Sequence, residues 1–295
     1  MKKIAAWEDS IFELIRRTSV DLPGDVEHAI RKACEKEKKA PRARWVLDAI
    51  LSNVDAARRD DAPLCQDTGA LLFYCSVPVG FDTNALTAVI RAAVARATKF
   101  GYLRLNTIDA LSGAPSPTNI AHGAPVLHYE QGARETVDLR LVMKGGGSEN
   151  VGRQYSLPDE GLKAGRDLEG VHRCILDAVV QAQGHGCAPG VVGVCIGGDR
   201  MSGYAVSKEQ FLRRLDDHSK VRTLARLEER VLMESRKLSI GPMGLGGGTT
   251  LLGVKIGAIS RVPASFFVTV SYMCWAFRRR GVLLGPRGGI QRWLY

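Results

Sequence analysis

The chain has no pair of cysteines close enough to make a CxxC site, although seven cysteines are spread over its 295 residues, at positions 34, 65, 75, 174, 187, 195 and 274. An odd and scattered set argues against a disulfide scaffold and against a zinc ribbon. In a reducing compartment such cysteines are mostly small buried hydrophobes, so those with unusual neighbours have to be argued one at a time. The sequence also lacks any charge-free apolar run of roughly eighteen residues, and Met1 to Ser10 lacks the apolar stretch of a signal peptide. These absences predict a cytoplasmic protein with no membrane span. Aromatic residues are scarce, at 6 %, and are little interleaved with the basic ones. The formal charge of +10 therefore does not by itself indicate the stripe of a nucleic-acid binder. Basic residues sit mostly in helical patterns mixed with acids, as in Glu35 to Lys39 and Arg213 to Lys237, with a further group at Arg278 to Arg280. An anionic substrate or an acidic partner remains as the reading of the charge.

No low-complexity linker or internal repeat interrupts the chain, and 45 % hydrophobic content is enough for a sizeable core. Apolar spacing of three and four predicts helices over Ile11–Thr18, Val26–Lys36, Ala43–Ala57, Thr83–Phe100, Leu168–Gln183, Lys208–Arg214 and Thr223–Lys237, with Gly101 closing the fourth. Apolar runs bounded by turn residues predict strands over Ala70–Val77, Val137–Met143, Gly190–Gly198, Thr250–Ile259 and Phe266–Met273. Prolines 115, 117 and 125, with glycines 113 and 123, make Leu103 to Glu130 an extended segment over a surface or cleft. The expectation is an α/β fold rich in helix, forming one compact domain over residues 1–295.

Three cysteines have unusual settings. Cys65, in Leu64-Cys65-Gln66-Asp67-Thr68-Gly69, stands at a strand entrance, where backbone approach to a ligand is easy; the plain alternative is a turn that Asp67 caps. Cys187, in Gly184-His185-Gly186-Cys187-Ala188-Pro189-Gly190, lies between a helix and a strand in a turn with more glycine than such a turn needs. Cys274 ends an apolar run and by itself reads as a core cysteine. Together, thiolates far apart in sequence can hold an iron-sulfur cluster assembled only by folding. Three of them leave one iron open for Lewis-acid chemistry on a hydroxyl or carboxylate. Glycine runs at Lys144–Ser148, Ile196–Asp199 and Gly244–Thr250 fit neither a P-loop nor a dinucleotide fingerprint. They read either as N–H donors to carboxylate oxygens or as tight turns beside packed strands.

Cys65-Gln66-Asp67-Thr68-Gly69, the Lys144–Ser148 run, Cys187-Ala188-Pro189 with Ile196-Gly197-Gly198 behind it, and Cys274-Trp275-Ala276-Phe277-Arg278-Arg279 together resemble the class I, iron-sulfur fumarases and the alpha subunits of tartrate dehydratase. The motifs follow in family order over nearly the whole chain. The resemblance implies a helix-rich domain around a small mixed sheet, like the N-terminal domain of class I fumarases. It implies a 4Fe-4S cluster held by Cys65, Cys187 and Cys274, and a hydro-lyase that hydrates or dehydrates a small dicarboxylate such as fumarate/malate, tartrate or mesaconate. It further implies Gln66, Asp67 and Arg104 as substrate contacts, Asp67 as the catalytic group, and backbone of Gly146 and Gly147 beside them. Arginine suits bidentate carboxylate binding, and an acid beside the cluster suits proton transfer.

The chain departs from the family at three places: Val262 stands where relatives often carry a histidine, Ala188 where many carry proline, and Gly248 where a lysine is common. The domain that follows this region in single-chain relatives is expected on a separate beta subunit, in a heterotetramer. The rival reading is a non-catalytic iron-sulfur binding or sensor module that lost the chemistry. A nucleic-acid-binding protein rests on charge alone.

Overall fold

The computed structural model describes residues 2–37 and 39–295, so Met1 and Lys38 lie outside the description. In chain order the elements are α1 (Lys2–Val20), α2 (Gly24–Lys36), α3 (Pro41–Asp60), β1 (Ala70–Pro78), α4 (Thr83–Lys99), β2 (Val126–Gly132), β3 (Val137–Lys144), α5 (Gly146–Asn150), β4 (Arg153–Ser156), α6 (Leu168–Ala182), β5 (Gly190–Gly197), α7 (Arg200–Glu209), α8 (Arg222–Ser235), β6 (Leu251–Ile259), β7 (Phe267–Met273), β8 (Arg278–Leu284) and β9 (Ile290–Leu294). The α/β class and the mixed pairing agree with the sequence reading, but the strands divide over two sheets, β2-β1-β3-β8-β9 and β4-β7-β5-β6. The chain packs as two compact units, one of Met1–Gly24, Ser52–Gly146 and Arg278–Tyr295, the other of Asp25–Leu51 and Gly147–Phe277.

In the first unit β1 lies between β2, which is parallel to it, and β3, which is antiparallel, and β8 continues the sheet beside β3. Ile11, Leu14 and Ile15 of α1 and Ile90 and Val94 of α4 recur at helical spacing, so each helix lays one apolar stripe on Phe73, Leu139, Leu141 and Val282 of the sheet. Asp82 starts α4 by accepting the Ala85 N–H, and Gly101, with φ of +82°, ends it. Strand β8 is hidden in the sequence because it opens on three arginines, two of which, Arg278 and Arg279, have no exposed surface. Polar residues that pair inside the fold look like surface to any local pattern.

In the second unit β5 is buried along its whole length, with β6 parallel on one side and β7 antiparallel on the other. Its Gly-Val-Val-Gly-Val pattern suits a strand covered on both faces. Gly193 is required there because a Cβ would come within 2.2 Å of the Ser207 carbonyl oxygen of α7. That helix is the one misplaced by periodicity. The expected helix over Lys208–Arg214 is instead α7 at Arg200–Glu209 followed by a 3-10 turn. Asp199 starts it with a reciprocal cap to Ser202, a pairing that differs from the usual Ser/Thr with Glu/Gln. No helix of the described residues is long and apolar enough to cross a membrane.

Candidate active site

The Cys65 loop enters the first sheet from a fixed point. The Leu64 N–H donates to the Ser19 carbonyl at 2.9 Å, and the Leu64 carbonyl accepts from the Asn53 amide at 2.9 Å. The loop leaves through Gly69, where φ is +78° and a Cβ would stand 2.6 Å from the Lys144 carbonyl. Between these anchors the Asp67 carboxylate accepts from the Gly69 N–H at 3.0 Å, the Asn106 amide at 3.1 Å and the Gly146 N–H at 2.8 Å. Asp67 therefore caps its turn, as the plain reading had it, and also ties the loop to two distant segments. Its carbonyl accepts from Arg278 Nη2 at 2.7 Å. Arg278 is fully buried, and its Nε and Nη1 have no hydrogen-bond partner among the described residues. Cys65 is half-buried and Gln66 exposed.

Asn119, at φ +59°, ties together several parts of the segment after α4. Its side-chain oxygen accepts from the N–H groups of Asn106 and Thr107, both at 3.0 Å, while its amide donates to Thr98 Oγ1 at 3.0 Å and to the Arg104 carbonyl at 2.7 Å. The Arg104 N–H in turn donates to Thr68 Oγ1 at 3.1 Å. The result is a cavity of about 250 Å³ whose wall includes Thr68, Gly69, Arg104, Asn106, Asn119 and His122. The Arg104 side chain is exposed and makes no ion pair among the described residues. A guanidinium without an internal carboxylate is suited to grip an acid, and Asn106 of the same segment reaches the Asp67 carboxylate.

In the second unit Cys187 sits at φ +53°, its N–H donating to the Gly184 carbonyl at 3.0 Å and its carbonyl accepting from the Trp275 N–H at 3.1 Å. That last bond ties the Cys187 loop directly to the residue after Cys274. The surplus glycines have a packing cause: a Cβ on Gly186 or Gly190 would come within 2.5 and 2.2 Å of the Tyr272 ring, and one on Gly184 within 2.8 Å of the Met243 carbonyl. Tyr272 is 2 % exposed, and its hydroxyl has no hydrogen-bond partner among the described residues. Burial first, then the nearby Cys274 and Cys187 thiols, push its pKa up. Cys274 is buried and Cys187 half-buried.

The structure thus gathers Cys65, Gln66, Asp67, Arg104 and Gly146 in the first unit, and Gly147, Cys187 and Cys274 in the second. Among the described residues no group of three or more His, Cys, Asp or Glu side chains forms a metal-ion site by itself. A Cβ on Gly147 would rest 3.8 Å from the His185 carbonyl oxygen, ordinary contact. Val262 is 64 % exposed, in the turn between β6 and β7. At Gly248 a Cβ would stand 3.5 Å from Glu37 Oε1, which accepts the Thr249 hydroxyl at 2.6 Å. Burial pushes the thiols of Cys34 and Cys195 up to about 11 and those of Cys75 and Cys174 up to about 12. Sequence reasoning missed Asn106, Asn119, His122 and Tyr272. Asn106 stands two residues after Arg104, whereas Asn119 looks like one more turn residue in a proline-rich segment.

Helices on two mixed sheets, with thiol-bearing loops at the entrances of β1 and β5 and at the exit of β7, define an α/β protein built to present cysteines at strand ends. Residues 8–282 match the family model described as Fumarate hydratase (Fumerase), and the chain belongs to that family. It is 50 % identical over 291 residues to a Geobacillus stearothermophilus protein provisionally named class I fumarate hydratase, covering 97 % of this chain and 57 % of that one. It thus spans little more than half the length of that relative. A Methanocaldococcus jannaschii protein provisionally named L(+)-tartrate dehydratase subunit alpha is 30 % identical over 277 residues, covering 92 % of this chain and 95 % of the relative. The Escherichia coli K12 L(+)-tartrate dehydratase subunit alpha is 28 % identical over 269 residues, covering 90 % and 86 %.

Proposed function

We propose that this chain is the alpha-type part of a hydro-lyase that reversibly hydrates a small dicarboxylate, with fumarate and malate as the leading pair and tartrate or mesaconate as further candidates. The observation that carries the reading is a cavity wall that holds the unpaired Arg104 together with Gly69 and Asn106, two of the three residues that donate to the Asp67 carboxylate. Arg104 binds one substrate carboxylate through its planar fork. Gln66 orients the substrate through its amide, with the Gly146 and Gly147 backbone alongside. Asp67 gives or takes the proton at the substrate hydroxyl, a role Val262 has no group to fill. Asp67 is fixed in place by its hydrogen bonds to Gly69, Asn106 and Gly146.

Cys65, Cys187 and Cys274 are proposed as the ligands of a 4Fe-4S cluster. The chain's donors suit such a group: a bound cluster with three thiolates is anionic, and the buried Tyr272 hydroxyl and Arg278 Nε and Nη1 are donors without an acceptor among the described residues. When bound, the cluster supplies a Lewis acid at the iron that has no protein ligand. The names of the tartrate dehydratase relatives support a separate beta-type partner, and we place the assembly in the cytoplasm as a heterotetramer. The test is anaerobic purification and co-production with a beta-type chain, followed by a screen of dicarboxylic acids by alkene absorbance. Cys65→Ser, Cys187→Ser and Cys274→Ser should each lose most of the iron, while serine at 34, 75, 174 or 195 should keep it. Unchanged iron in all three variants overturns the ligand set. A loaded complex that hydrates none of the acids makes the chain a binding or sensor module instead.

A further inference from the structure

A second cavity, also of about 250 Å³, opens in the second unit and shares no residue with the first. One wall is the face of α2 that carries His28, Lys32 and Lys36, four residues apart and so stacked along the helix. Arg236, at the C-terminal end of α8, joins them. The side chains of Lys32, Lys36 and Arg236 make no hydrogen bond or ion pair among the described residues. Two carboxylates also line the cavity, and both are engaged elsewhere. Asp216 takes a two-point bond from Arg214, at 2.8 and 2.7 Å. Asp25 is buried, accepts the Leu215 N–H at 2.7 Å, and stands in the field of the same Arg214. Leu232 and Leu251 add apolar wall.

We propose that this cavity is a binding site for a small polyanion, a phosphate or a polycarboxylate, separate from the candidate catalytic cavity. Three cations at one opening repel each other. The cost shows at Lys36, whose proton affinity is lowered by burial and by the charges of Arg236 and Lys32. A multivalent anion relieves that repulsion and receives charge-assisted hydrogen bonds from all three. The volume, about 250 Å³, falls below the roughly 300–1,000 Å³ of pockets for drug-sized ligands, which suits an inorganic phosphate or a compact polycarboxylate. Binding here would stabilise the folded chain by mass action and would let an anion other than the substrate act on the second unit.

The experiment is thermal unfolding of the full chain, kept anaerobic, titrated with inorganic phosphate and separately with citrate at ionic strength held constant with chloride. The expected result is a saturable rise in unfolding temperature, with the better probe saturating at lower concentration. Lys36→Gln and Arg236→Gln should each weaken the response about tenfold or more, the scale of one lost charge-assisted hydrogen bond. Arg236→Lys should keep most of it. Lys237→Gln, outside the cavity, should respond as the parent does, and Arg104→Gln reads any binding of the probe at the first cavity. Because all these side chains are exposed, the ligand-free variants should unfold with the parent. A rise that chloride alone reproduces, or that survives in both glutamine variants, overturns the site. A response lost only in Arg104→Gln assigns the anion to the first cavity and overturns it equally.

Discussion

Asn119 uses all its hydrogen-bonding capacity on one task, accepting from two N–H groups and donating to Thr98 and to the Arg104 carbonyl while 5 % exposed. Its neighbour Asn106 is the one that reaches Asp67. Asn119→Ala leaves those backbone groups unpaired in a half-dry loop, so it should cost about 1–3 kcal/mol in urea unfolding and raise KM by loosening Arg104. Asn119→Asp keeps the acceptor and should fall between parent and alanine; a KM unchanged in both variants would make Asn119 a purely structural residue. Arg104→Lys retains charge but loses the planar fork, and should weaken substrate binding by about 1.5–3 kcal/mol. An unaltered KM and turnover there would place the substrate carboxylate elsewhere. The role proposed for Arg104 comes from the sequence only through the family motif. Asn119 was not legible, because a turn asparagine and a fully bonded buried one are spelled alike.

At the scale of elements, the Cys187 loop is shaped by β7 as much as by its own glycines. Gly190→Ala would put a methyl group within 2.2 Å of Tyr272, so the strand or the ring must move, at a cost of about 1–3 kcal/mol. In a Tyr272→Leu background the same change should cost clearly less, which a double-mutant cycle of denaturant midpoints measures. Equal costs in both backgrounds would mean that the ring is not what requires the glycine. The sequence reading took the surplus glycines as a sign of a ligand-bearing loop. Their spacing was visible, but the ring they face lies 82 or more residues away in sequence and could not be read locally. The same limit hid β8: its arginines were noted as basic charge near the chain end, and only pairing with β3 makes them interior. Strands β1 and β5, by contrast, were plain, since continuous apolar runs of strand length between turn residues have few other ways to be buried.

For the whole molecule, the first cavity carries one unpaired arginine, whereas a diacid has two ends and its dehydration also needs an acid and a base in position. The purified chain should therefore hold its cluster yet show no measurable hydration until a beta-type partner is added under anaerobic conditions. Robust turnover by this chain alone would overturn the division of the site. Exposure of the active mixture to air should abolish activity and release iron together, because an iron without a protein ligand is open to oxidants; activity that outlasts the iron would remove the cluster from the chemistry.

Local chemistry alone determined a good deal about this protein. Apolar periodicity placed most helices and the buried strands, and the ordered motifs around Cys65, Cys187 and Cys274 identified the family, because each depends on neighbours within a few residues. Tertiary structure alone decided that the strands form two sheets, that Asp67 is clamped by Asn106 and Gly146, and that Tyr272 stands against the Cys187 loop. Each of these is a contact between distant segments, set by which surfaces can be buried together, and no window of sequence contains both partners.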